Sequence, residues 1–156
     1  MKKILFLRPH PFIADTFAEA TQKLGFASLK FTDFGDFNRY SSDIRHAAGS
    51  VVSLAVASPV AQSAEEVIAE LRRRAPTMPL VLAGLADIGG LMKTAQGILP
   101  AARFYTIDSP SNAILAPSTD VLIVRRDDFI QADRATRLDR LLMRHFTGGG
   151  AHRSAA

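Results

Sequence analysis

A chain of 156 residues, 47% apolar and 22% charged with a net charge of +4, has the size and composition of one domain with a sizeable buried core. It contains no cysteine, which excludes disulfides, thiolate metal sites and a cysteine nucleophile. Lys2-Lys3 precede only four apolar residues before Arg8 and Pro9, too few for a signal-peptide core, and no apolar run approaches the roughly 20 residues of a membrane span, so the chain reads as a soluble cytoplasmic protein.

Ile4-Leu5-Phe6-Leu7 is a continuous apolar run, which predicts a strand from Lys2 to Leu7 covered on both faces. Beyond Arg8-Pro9-His10-Pro11, the residues Ile13, Phe17, Ala20 and Leu24 recur at helical spacing, with Gly25 in the usual C-cap place. Ala27 to Phe31 predicts a second strand, and Phe34, Phe37, Tyr40 and Ile44 a weaker helical stretch. Core packing accounts for most of Phe12, Phe26, Phe31, Phe34 and Phe37, while any left exposed at a sheet edge would offer a docking point.

Val51, Val52, Leu54, Ala55 and Val56 predict a third strand that exits at Ser58-Pro59. Ser63 followed by Ala64-Glu65-Glu66 is a capping box. The helix it opens buries Val67, Ile68 and Leu71, exposes Arg72 to Arg74, and stops before Pro76. Leu80 to Leu82 forms a fourth strand that exits at Ala83-Gly84. A helix over Asp87 to Leu99 is weakened by Gly89, Gly90 and Gly97, at about 1 kcal/mol each. Arg103 to Ile107 is a fifth strand; Ala113 to Ala116, the turn at Pro117-Ser118-Thr119 and Val121 to Val124 then require a hairpin or a sixth strand. Asp127 or Asp128 opens a last helix expected to bury Ile130, Leu138, Leu141, Leu142 and Phe146, ended by Gly148-Gly149-Gly150 and a flexible tail.

Strands alternating with helices define an α/β class: a doubly wound, mostly parallel sheet of five or six strands with helices on both faces and an extra strand or hairpin before the last helix. One domain spans 1–147, and 148–156 is the tail. Folds of this class bind ligands at the carboxyl ends of their strands. Arg8 and His10 at the first exit, Ser58 at the third and Gly84 at the fourth are therefore the candidate ligand residues, of a kind that accepts an anion. A competing reading has Arg8 paired with a nearby acid and Ser58 serving a turn.

Catalytic motifs are lacking. His10, His46, His145 and His152 lie far apart with no supporting nucleophile or metal spacing. Gly84, Gly89 and Gly90 are not followed by the Lys and Ser/Thr of a phosphate loop, and the first strand exit has no dinucleotide glycines. No cofactor and no metal are expected, and an enzyme is disfavoured. Between Arg125 and Arg153 seven Arg stand against four Asp, so most of the excess charge is C-terminal. A solvated helix face explains it better than a nucleic-acid contact. On that last helix Leu138 and Leu141, flanked by Arg137, Arg140 and Arg144, are the candidate interaction surface, set against simple packing on the domain.

The order of elements, and above all the stretch Val51 to Gly84 with Pro59, Arg72-Arg73-Arg74-Ala75-Pro76 and Met78-Pro79-Leu80-Val81-Leu82-Ala83-Gly84, resembles the receiver domain of bacterial response regulators. That resemblance implies phosphoryl transfer to an aspartate that shares a Mg²⁺ ion with two further carboxylates. Here Arg8, Pro9 and His10 replace the acidic pair, Ala55 stands in the phosphoacceptor place, Ala83 and Gly84 replace the switching hydroxyl, and Asp108 stands near where a lysine follows the fifth strand. The resemblance thus implies a degenerate receiver acting through contact with another protein of a signalling or scaffold assembly, with a homodimer as one form of that contact. A second resemblance, carried by Arg8-Pro9 and Ser58-Pro59, is to uroporphyrinogen-III synthase. Together with the candidate ligand residues it supports the alternative of a small-molecule or nucleotide-binding domain.

Overall fold

The computed structural model describes residues 2–8, 10–54, 63–85, 87–109 and 120–147. Along the chain run β1 (Lys3–Leu7), α1 (Pro11–Lys23), β2 (Ala27–Phe31), α2 (Asp36–Arg39), α3 (Ser41–His46), β3 (Gly49–Ser53), α4 (Ala64–Arg74), β4 (Leu80–Gly84), α5 (Ile88–Ile98), β5 (Arg103–Tyr105), β6 (Asp120–Arg125), α6 (Asp127–Ile130) and α7 (Ala132–Phe146). The six strands form one sheet in the order β2-β1-β3-β4-β6-β5, and every pairing is parallel. This is the doubly wound α/β class that the alternation predicts.

Side chains of a strand alternate between faces, so the continuous apolar runs divide into two cores. Leu5, Leu7, Val52, Leu80, Leu82, Val121 and Ile123 face α2 to α5, meeting Phe37, Ile44, Val67, Leu71, Leu91 and Ala95. Ile4, Phe6, Val51, Val81, Ala83, Leu122 and Val124 face α1 and α7, meeting Ile13, Phe17, Leu138, Leu142 and Phe146. Each fully buried aliphatic or aromatic side chain contributes about 1.5–3 kcal/mol, and this two-sided burial is the main stabilising term.

The local signals hold where chemistry fixes them. Ser63 caps α4, its Oγ accepting from the Glu66 N–H at 3.1 Å, and Gly25 takes φ +95 after α1. The expected hairpin or sixth strand is found as a sixth strand, inserted between β4 and β5 and parallel to both, after the segment 110–119. That segment, with Ala113 to Ala116, lies outside the described residues, as do Ser58, Pro59, Ala55 and the tail 148–156.

The last helix is also two helices, because Gln131 is extended at φ −80, ψ 124. The break restarts the helical phase, leaving Ile130 60% exposed while Phe129 packs edge-on against Phe17 at 4.9 Å. In the same way Tyr40, at φ −110 and ψ 32, splits the weak helical stretch into α2 and α3. Among the early phenylalanines, Phe26, Phe31 and Phe37 are buried and Phe34 is partly exposed.

A buried polar chain ties α7 to the sheet. His145 is fully buried and its Nε2 lies 2.9 Å from the Leu80 carbonyl. A carbonyl only accepts, so Nε2 carries the proton and Nδ1 accepts from the Tyr105 hydroxyl. Beside it, Arg103 donates to both Asp120 oxygens at 2.9 and 3.0 Å, joining β5 to β6. Burial raises the Tyr105 hydroxyl pKa above its ordinary value, with the Asp120 carboxylate adding to the effect, and burial pushes His145 down to about 4. The unfolded imidazole titrates near pH 6.5. The native state refuses that proton, so stability is full above pH ~6.5 and falls as pH drops toward 4, by up to about 1.4 kcal/mol per pH unit. Urea unfolding from pH 7.5 to 4.5 should show this loss in the wild type and a flatter profile in His145→Gln; parallel profiles would refute the assignment.

Candidate functional site

Arg8 is the first residue past β1, and it adopts φ +50, the left-handed region. For a residue with a Cβ that conformation costs about 1–2 kcal/mol. It turns the side chain across to the neighbouring strand, where Nη1 donates to the Ser53 carbonyl at 2.6 Å. β1 and β3 are neighbours from which the chain winds toward opposite edges, so Arg8 bridges the switch point where such sheets place ligands. Its Nε is buried with no hydrogen-bond partner among the described residues, and burial lowers its pKa, although a guanidinium stays protonated. The competing expectation of a nearby acid is thus replaced by a backbone carbonyl.

The cleft that the described residues form beside Arg8 is small. A cleft of about 40 Å³ is lined by Leu7, Arg8, Phe31, Thr32, Phe34 and Val67 among others. Such a volume holds a water or two, whereas small-molecule sites run to about 300–1,000 Å³. His10 begins the next helix: its carbonyl accepts from the Ile13 and Ala14 N–H groups at 2.9 and 2.8 Å.

Gly84 ends β4, but a Cβ there would collide with the Leu91 side chain. Its lack of a side chain therefore serves the packing of α5 on the sheet, which accounts for it without a ligand. The structure brings Arg8 and His10 together at one exit and sets Gly84 two strands away from β1, beyond β3; Ser58 lies outside the described residues.

The inserted strand moves one position. β4 neighbours β6, so the residue at the adjoining strand end is Arg125, which pairs in register with Gly84. Asp108 instead follows the edge strand. A network missed in the sequence joins these ends. Asp128 is fully buried; it accepts from the Arg125 backbone N–H at 2.9 Å, from the Arg125 guanidinium at 3.3 Å and from Arg134 at 3.0 and 3.2 Å. Arg134 continues to Asp108 at 3.0 and 3.3 Å, and hydrogen bonds from Arg134 lower the Asp108 carboxyl pKa. The three-residue spacing of Arg125 and Asp128 is a local signal for the first link. The contacts of Arg134 with Asp108 and of Arg137 with the Ile107 carbonyl, at 2.7 Å, depend on tertiary placement.

The expected interaction surface on α7 is divided. Leu138 is fully buried and Leu141 packs partly against the same core, so these residues hold the helix to the sheet and Leu138 offers nothing to a partner. Arg137, Arg140 and Arg144 are exposed on the outer side. No helix among the described residues is long and apolar enough to cross a membrane, and among them no group of three or more His, Cys, Asp or Glu is placed to hold a metal ion.

No family model matches this chain, and no curated protein matches it. Among solved structures, one described as a yeast Spc42 trimeric coiled-coil segment fused to another structure is similar, with a TM-score of 0.53 at 10% identity, covering 99% of this chain and 89% of that one. At that identity the likeness concerns the fold alone.

Replacing Asp128 by Asn should destabilise the domain by about 2 kcal/mol or more, because two guanidinium groups lose a buried anionic partner. The Arg125 and Arg134 side chains keep 26% and 17% exposure, so solvent screens part of the cost of separating them from the buried Asp128. Equilibrium urea unfolding at neutral pH measures it; a change below about 0.5 kcal/mol would mean that the network is not stabilising.

Proposed function

We propose that the domain is a receiver-like module that does not accept a phosphoryl group and acts by contact with another protein of a signalling or scaffold assembly, self-association being one form of that contact. The observation that carries the reading is Arg8. A receiver's exit from β1 must attract Mg²⁺, and a fixed guanidinium bridging β1 and β3 repels a divalent cation from that place. The order β2-β1-β3-β4 with a further parallel strand beyond it, and the sharing of one face by α1 and α7, support the receiver-like part. The same reading assigns the module to the cytoplasm. The alternative, an anion-binding domain using Arg8, His10, Ser58 and Gly84, draws less support, since the cleft at Arg8 is about 40 Å³ and Gly84 is explained by Leu91.

Adding Mg²⁺ with beryllium fluoride to the ¹⁵N-labelled protein should leave the backbone amide spectrum unchanged. A saturable shift at the ends of β1, β3 and β4 would sink the proposal. Thermal-shift screening against nucleotides and organic anions tests the alternative, which predicts about 2.7 kcal/mol of stabilisation at a ligand concentration of 100 Kd.

A further inference from the structure

A wider concavity than the cleft beside Arg8 lies at the opposite, amino end of the sheet. A groove of about 500 Å³ is lined by Lys2, Lys3, Asp43, Arg45, His46 and Ala47, against about 40 Å³ beside Arg8. Its walls are fixed by main-chain bonds. The Lys2 carbonyl accepts from the Ala27 N–H at 2.9 Å and the Lys3 carbonyl from the Ala48 N–H at 2.8 Å, and the buried Ile44 seats α3 on the core.

One carboxylate enters the groove, and it is already engaged: Asp43 pairs with Lys3 at 2.7 Å. His46 Nδ1 lies 2.9 Å from the Ser42 carbonyl, which leaves its other ring nitrogen outside that bond. Lys2 and Arg45 are exposed and have no carboxylate among the ion pairs of the described residues. Cations in a helix's last turn complement its macrodipole wherever they point, and α3 ends in Arg45 and His46. Here, though, they converge with two lysines from a different element on one concavity.

We propose that this groove binds a small, multiply charged phosphorylated molecule, with Lys2 and Arg45 as its principal ligands and His46 at its side. Arginine offers phosphate a planar fork and lysine a compact charge. The concave shape, closed on one side by β1 and on the other by α3, suits a compact anion better than an extended nucleic-acid backbone. The site is separate from the Arg8 exit, so it stands or falls independently of the receiver-like reading.

The test titrates the full-length ¹⁵N-labelled chain with sodium tripolyphosphate and follows backbone amide shifts. Saturable shifts should concentrate at residues 2–3 and 43–47. The double variant Lys2→Ala/Arg45→Ala, which leaves the Lys3–Asp43 pair intact, should weaken binding by about tenfold or more. Arg126→Ala/Arg140→Ala removes the same charge elsewhere and should change it by less than about twofold. Equal weakening by both double variants, shifts spread over the whole surface, or no saturation by about 10 mM would overturn the proposal. Tighter binding of a DNA duplex, weakened equally by both double variants, would overturn it in favour of a diffuse nucleic-acid contact.

Discussion

Phe146, the last residue of α7, lies against the backbone at the start of β3, and that approach exists only because position 49 is glycine. A Cβ on Gly49 would collide with the Phe146 ring and stand 3.3 Å from the Pro79 carbonyl. The same end of α7 places His145 on the Leu80 carbonyl and Phe146 edge-on to Phe26 at 5.8 Å. Through this contact the helix that comes last in the chain covers Val51, Val81 and Leu122. Without it the part of that face that α1 leaves uncovered would meet water, at about 25 cal/mol for each Å² exposed.

Once both faces are covered, the strand ends are the places left for polar chemistry, and they are used for structure. Arg8 spans β1 and β3 through a backbone carbonyl, Asp128 gathers Arg125 and Arg134, and Arg134 reaches Asp108 beyond β5. Buried ions bound in this way are costly to separate. Among the described residues the Asp128 group neutralises its own charges, whereas Arg8 meets only a backbone carbonyl. The amino end is different: its carboxylates are few and engaged, and its remaining cations face a groove.

Much of the architecture was legible because the signals are local. Ile4 to Leu7, Val51-Val52 and Leu80 to Leu82 are apolar on consecutive positions, which demands cover on both faces; Ser63 with Glu66 and Gly25 mark helix ends by hydrogen bonding and backbone sterics. The candidate site was legible in part. Arg8 and His10 do stand at a strand exit, but the direction of the Arg8 side chain follows from its positive φ, which no spacing announces. Gly84 was visible as a strand-end glycine, while its reason, Leu91, comes from another element.

What the sequence alone determined is therefore the α/β class and the two-sided burial of its strands, since each depends on residue type and near-neighbour order. Only the tertiary structure decided that β6 enters between β4 and β5, putting Arg125 and not Asp108 beside Gly84. It also decided that Ile130 faces outward, that Leu138 faces inward, and that Lys2 and Arg45 line one groove. These outcomes depend on which distant segments compete for the same surface, a long-range packing choice that short-range periodicity does not encode.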